Sequence, residues 1–303
     1  MRISTPLAFE RAIEGMNDRQ SALVRTQQEL STGKKLLQAG DDPMGAAEAE
    51  RTRSQIRRVE IQQRMNDFAK NMLGQADATL AQVNEVLQSL REGFVQAANG
   101  SLSTSDRALL ARQFQGYRDE LLVLANRADG AGGFVFGGQG STSAPFTTSG
   151  TIQYTATAGE QQVGLDTNSP TMLDGRENFM NVPTASGPQS IFAVLDSAIS
   201  VLSNVSATSP AQQTAATTAL QGVDEMLDKV QMTRTEVGEN LKSIESRGQL
   251  AEDSSIEMKS RLSQLVDLDV AKAMSDFSTN QTALQAAMKS YTEIAKMSLF
   301  SYI

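Results

Sequence analysis

LSTGKKLLQAGDDPMGAAEAE, residues Leu30 to Glu50, is the stretch on which the rest of the chain hangs. It reads as one helix ending, a short loop, and a second helix beginning. Gly33 suits the left-handed residue that closes a helix, because it has no Cβ to clash there. Asp42 offers a carboxylate to the orphan N–H groups of a first turn. Pro43 follows it, where a fixed φ helps and a missing N–H costs nothing. Helical periodicity runs away from this joint on both sides, so the chain is read as mainly α.

Upstream, Phe9, Ile13, Met16, Gln20, Leu23, Gln27 and Leu30 step alternately by four and three, the spacing of a coiled-coil seam. Gln20 and Gln27 dilute that seam. Downstream, Ile61, Met65, Phe68, Met72, Ala76, Leu80, Val83, Leu87, Leu90 and Phe94 form a candidate buried stripe. Arg51, Arg53, Arg57, Arg58 and Arg64 are interleaved with Glu48, Glu50 and Glu60 and carry no aromatic among them, which reads as a solvated, ion-paired face. Asn99-Gly100 stops that helix, and Ser103 with Asp106 offers a capping pair for the next, whose face is Leu110, Phe114, Tyr117, Leu121 and Leu124.

The character changes at Asp129. Six glycines between Gly130 and Gly140, Pro145-Phe146 and a Ser/Thr-rich run follow, with strand-like alternation at Ile152 and Tyr154 and a second candidate strand at Gln162–Leu165. A small β-rich insertion over 137–186 is expected. Helix resumes near Pro188, with Ile191, Val194, Leu195, Ala198, Val201 and Leu202 on one face. A long run then begins at Ser209-Pro210. Gly222, Gly238 and Gly248 in that run either let a neighbour approach or permit bending. From Leu262 the pattern sharpens again, through Val266, Val270, Met274, Phe277, Gln281, Leu284, Met288 and Tyr291, into the apolar tail Leu299, Phe300, Tyr302 and Ile303.

Composition narrows the chemistry. The 303 residues carry a net charge of −8, so no basic field invites nucleic acid or an anionic membrane. With no Cys, His or Trp, thiol catalysis, disulfides, the commonest general base and the commonest transition-metal ligands are missing together. No Gly-rich loop opens a helix with a phosphate-binding signature. No catalytic residue, cofactor or metal site is expected, and the chain is read as a non-enzyme. The longest apolar runs, such as Leu121–Ala125 and Ile191–Leu195, are too short to span a membrane. The N-terminal MRISTPLAFERAIEG has charges where a cleaved signal peptide needs an apolar run.

The joint closely resembles the one near the N-terminus of flagellins and flagellar hook-associated proteins: Leu30, Ser31, Thr32, Gly33, Lys34, Asp41, Asp42, Pro43 and Ala46 match its pattern. QSLREGFVQAANG (88–100) with Ser103, Ser105, Asp106 and Arg107 is similar to a second flagellin run, and Arg234, Val237 and Gly238 to an element of the C-terminal half. MRIST at the start and SLFSYI at the end resemble the hook-associated members more than the flagellins.

The resemblance implies a discontinuous, flagellin-like organisation. Residues 1–42 and 262–303 would pair as an inner coiled coil, 43–136 and 187–261 would form a helical rod, and 137–186 an outer β-rich domain. It further implies a structural subunit of the bacterial flagellum at the junction of hook and filament. Such a subunit is exported unfolded by the flagellar type III apparatus and is extracellular without a cleaved signal peptide. Implied partners are other copies of itself, an adjoining hook-associated protein, flagellin, and a flagellar export chaperone at the C-terminal segment. The seam for assembly and chaperone binding would be Phe9, Ile13, Met16, Leu23 and Leu30 with Val270, Met274, Phe277, Leu284, Met288 and Tyr291. The interdomain joint would be Gly33, Asp41, Asp42 and Pro43. A filament-forming flagellin and a cytosolic coiled-coil adaptor are the alternative readings.

Overall fold

The computed structural model describes residues 5–148, 150–163, 169–184 and 187–300. In chain order these form α1 (Thr5–Thr32), α2 (Pro43–Ala97), α3 (Thr104–Ala125), β1 (Gln162–Val163), β2 (Ser169–Pro170), a π-helical turn (Arg176–Met180), α4 (Ile191–Ser203), α5 (Ser209–Val266) and α6 (Val270–Phe300). The chain forms two compact units. One comprises residues 1–60 and 253–303, the other residues 61–252.

The 61–252 unit holds most of the buried apolar side chains. Leu73, Leu80, Leu87, Leu90 and Phe94 of α2 have no exposed surface, and α3 adds Phe114 and Leu121, α4 adds Ile191 and Leu195, and α5 adds Val223 and Val230. The stripe read from the sequence holds from Ala76 to Phe94. Nearer the start of the unit it is displaced: Ala69 and Leu73 are buried, whereas Ile61 and Phe68 are exposed.

Polar pairs fix α2 against α5 in antiparallel register. Lys70 meets Glu245, Arg234 Nε donates to Asp77 at 2.8 Å, Gln231 Nε2 donates to Asn84 at 3.0 Å, and Arg91 Nε donates to Asp224 at 2.7 Å. Each step forward along α2 is a step back along α5, as two facing helices require. Two glycines mark close approaches. A Cβ on Gly93 would lie 2.4 Å from Phe114, whose ring stacks on Phe94 at 4.2 Å between centroids. A Cβ on Gly222 would lie 2.9 Å from Val194, whereas Gly238 and Gly248 have open space around them. Gly222 is therefore a contact glycine and the other two are not.

Ser103 caps α3 as expected, accepting from Asp106 N at 3.2 Å. Helix α4 begins at Ile191, three residues after Pro188, because Ser190 takes the cap by accepting from Phe192 N at 3.2 Å.

The expected β-rich insertion is not what forms. Among the described residues of 137–186 the one ladder is β1 against β2, Gln162 opposite Pro170 and Val163 opposite Ser169, supplemented by isolated bridges such as Phe146 with Tyr154. Residues 164–165 of the second expected strand lie outside the described residues. What holds this region is an aromatic cluster. Phe136, Phe146, Phe179 and Phe192 are fully or almost fully buried, with Phe136–Phe179 at 4.9 Å edge to face and Phe146–Phe192 at 5.9 Å. Asn126 at the end of α3 clips the loop: its Nδ2 donates to Phe146 O at 3.1 Å and its Oδ1 accepts from Phe146 N at 2.9 Å. The alternation at Ile152 and Tyr154 reports burial correctly, since both are buried between exposed neighbours. It does not report a sheet, because ring packing and side-chain clips satisfy the segment instead.

Candidate assembly interface

The joint is built as its residue types require. Gly33 has φ +68° and its N–H donates to Glu29 O at 2.8 Å, the left-handed cap that ends α1. Asp42 caps α2: Oδ1 accepts from Gly45 N at 2.9 Å and its carbonyl accepts from Ala46 N at 2.8 Å, with Pro43 as the first helical residue. Asp41 turns back toward α1. Its Oδ2 accepts from Gln38 N at 3.0 Å and its Oδ1 lies 3.6 Å from Arg25. Glu29, through its hydrogen bond, and Asp41, through its charge, raise the pKa of the exposed Arg25 guanidinium. Gly45 was not singled out in the sequence, yet a Cβ there would sit 2.2 Å from the Asp42 carboxylate, so the cap needs that glycine. Leu36, Leu37, Ala39, Pro43, Ala46 and Ala47 line an 890 Å³ concavity beside the joint.

A second joint, which the continuous seam reading missed, separates α5 from α6. Leu262 and Val266 end α5, and Asp269 caps α6 by accepting from Lys272 N at 3.1 Å. The readable signal was the double step of four, Val266–Val270–Met274, flanking Asp267 and Asp269. The two joints are clasped together: Lys35 N donates to Val266 O at 2.9 Å and Leu268 N to Gly33 O at 3.0 Å, and Lys35 Nζ also reaches Gln264 O.

From this clasp α1 and α6 run antiparallel and pack along each other. Their heptads split into two layers with different fates. Met16, Leu23 and Leu30 on α1 and Phe277, Leu284 and Tyr291 on α6 are half-buried. Small or polar residues around them are likewise screened from solvent, Ala12, Ala22 and Thr26 on one helix and Ala273, Asn280, Ala283 and Ala287 on the other. The alternate layer points away. Ile13 is 45% exposed, Met274 62% and Met288 42%, and Gln20, Gln27 and Gln281 are exposed with them. Val270, at the first residue of α6, is 51% exposed. The side chain of Phe9 lies outside the described residues. No described side chain of α1 is fully buried. Each helix therefore covers one layer of its seam and leaves open a mixed layer, in which Ile13, Met274 and Met288 stand among Gln20, Gln27 and Gln281.

Among the described residues no group of three His, Cys, Asp or Glu side chains is placed to hold a metal, and no helix is long and apolar enough to cross a membrane. The geometry of the paired helices suits packing against further helices.

Residues 3–141 match the bacterial flagellin N-terminal helical region, and residues 220–303 match the bacterial flagellin C-terminal helical region. Flagellar hook-associated protein 3 of Escherichia coli strain K12 is 33% identical over 314 aligned residues, covering 99% of each chain. The Salmonella typhimurium protein of the same name is 32% identical, again over 99% of each. Among solved structures, flagellar hook-associated protein-3 from Legionella pneumophila has the same fold, with a TM-score of 0.66 at 18% identity over 71% of this chain and 98% of that one.

Proposed function

The chain belongs to the flagellar hook-associated protein 3 family, and from that premise we propose that it is the structural subunit that joins flagellar hook to filament, with no catalytic role. The supporting observation is the full-length similarity, because it spans both terminal helices and the insertion between them. The seam fits the role physically. A seam with its second layer left open gains little alone and gains more when neighbouring subunits supply helices that cover Ile13, Met274 and Met288. On this reading Ile13, Met274 and Met288 meet adjacent copies, an adjoining hook-associated protein and flagellin.

The same reading carries an organisation and a route. Residues 1–42 with 262–303 act as the assembling coiled coil, 43–136 with 187–261 as the helical body, and 137–186 as a loop-built appendage. The chain is exported through the flagellar type III apparatus and works outside the cell. Before export an exposed apolar helix is an aggregation hazard, and anchors spaced by three and four suit a helix-in-groove partner. An export chaperone would hold residues 262–303 through Met274, Phe277, Leu284, Met288 and Tyr291.

Complementation tests this. In a motile bacterium deleted for its own hook-associated protein 3, the wild-type chain should restore attached filaments. A version with Met274, Phe277, Leu284 and Met288 replaced by Ser should be expressed and leave hooks bare. Filaments with the Ser variant, or failure of the wild-type chain in its own source cell, would overturn the proposal.

A further inference from the structure

The α2–α3 corner carries chemistry that the assembly role does not use. Asn99-Gly100 is the sole Asn-Gly pair in the sequence. Both residues are exposed, just beyond the last residue of α2. Glycine after asparagine leaves the backbone nitrogen free of Cβ hindrance, so that nitrogen can reach the asparagine side-chain carbon. The corner adds three features. Asn99 Oδ1 accepts two hydrogen bonds, from Ser101 N at 3.2 Å and from Ser101 Oγ at 3.0 Å. Arg107, fully buried, donates from Nη2 to Asn99 O at 3.2 Å, and its other hydrogen-bond partners are the neutral Ser209 and Gln212. The Gly100 N–H has no acceptor among the described residues, so nothing holds its proton.

We propose that Asn99 is a site of spontaneous deamidation, activated by Ser101. In the first step the Gly100 nitrogen gives its proton to solvent and attacks Asn99 Cγ. The carbonyl electrons move onto Oδ1, where the two Ser101 donors stabilise the oxyanion as preorganised donors do in an active site. The tetrahedral centre collapses, the Cγ–Nδ2 bond breaks, and ammonia leaves with a proton taken from water. Water then opens the resulting five-membered imide at either carbonyl, giving aspartate or isoaspartate. In the isoaspartate product the former main-chain carbonyl of Asn99 becomes the carboxylate, and its oxygen is the one already reached by Nη2 of Arg107, a buried cation with no acidic hydrogen-bond partner.

The two Asp-Gly pairs could form the same ring from a carboxylate. The carboxylate of Asp129 is buried and accepts from Ala131 N and Gly133 N, and that of Asp174 accepts from Arg176 N and Gly159 N. Ala131 N and Arg176 N stand at the same i+2 position as Ser101 N, so what sets these pairs apart from Asn99 is that a carboxylate is a poorer electrophile than a carboxamide.

The test is ageing of the folded full-length protein in mildly alkaline buffer, followed by peptide mass mapping and enzymatic isoaspartate labelling. Asn99 should convert faster than every other asparagine, with both products present. Ser101→Ala, which keeps the backbone donor and loses the hydroxyl, should slow conversion by roughly threefold, the rate counterpart of one modest hydrogen bond. Gly100→Ala should nearly stop it. That variant can fold, because the new Cβ meets only the movable amide end of Gln213, and circular dichroism checks that it does. Conversion at Asn99 no faster than at the other asparagines would overturn the site. An unchanged or faster rate in Ser101→Ala would overturn the activation.

Discussion

The α1–α6 pair and the α2–α5 pair carry the same four-and-three spacing and end in opposite states. Facing α5, with α3 and α4 also in the unit, α2 drives Leu73, Leu80, Leu87 and Phe94 to zero exposure. Packed on α6, α1 leaves every described side chain at least partly open. Heptad spacing specifies that a helix will pack, and the number of partners decides how much is buried. Two helices cover one layer each; covering both needs more neighbours.

The sharpest way to probe that difference is to cut one side chain from each region. Phe114→Ala removes a fully buried ring stacked on Phe94 and should destabilise the protein by about 3–5 kcal/mol. Met274→Ala, on a side chain 62% exposed, should leave monomer unfolding almost unchanged. Denaturant melts of both variants decide it, and a large loss from Met274→Ala would mean that the second layer is already covered in the monomer.

Smaller effects should come from the glycines of α5. Gly222→Ala pushes a methyl against Val194 at 2.9 Å and should cost roughly 1 kcal/mol net, overpacking outweighing the gain in helix propensity. Gly238→Ala meets open space on an exposed helical position and should stabilise by about 1 kcal/mol. Opposite signs in thermal melts would confirm that only one of these glycines marks a contact.

A pH dependence should arise within the aromatic cluster, visible only in strong alkali. Burial, and then the charge of Asp174, push the Tyr154 phenol from its ordinary 10.0 up to about 12. The unfolded chain loses this proton near pH 10 while the folded chain keeps it. Stability from this group is therefore complete below pH 10 and falls as pH rises from 10 toward 12. Tyr154→Phe should flatten that part of the stability curve, read against wild type so that lysine titration cancels. Any change from this substitution should leave α1 and α6 untouched.

The joint was the most legible part of the chain, because Gly33, Asp42 and Pro43 act through local backbone rules that need no tertiary partner. The stripe from Ala76 to Phe94 was legible for a related reason, since a helix buried on one face repeats its own period. Three things were hidden. The small residue at Gly45 answers a side chain, the Asp42 carboxylate, which only the folded turn brings over it. The insertion's alternation was real burial, but whether buried residues meet as strands or as packed rings depends on contacts as remote as Phe146 with Phe192. The split of the terminal seams into a used and an unused layer depends on the rotation of α1 against α6, and the sequence hinted at it only in that Gln20, Gln27 and Gln281 all fall in the layer left open.

The ion pairs and amide contacts along α2 and α5 have a consequence for how such a chain can change in length. Because Lys70, Asp77, Asn84 and Arg91 answer Glu245, Arg234, Gln231 and Asp224 in reverse order, residues added to one helix displace every later pairing. An insertion survives only if the opposite helix gains a matching one at the facing position, in whole heptads, so that charge again meets charge and Leu again meets Val. The two halves of this protein, encoded far apart, must therefore lengthen or shorten together.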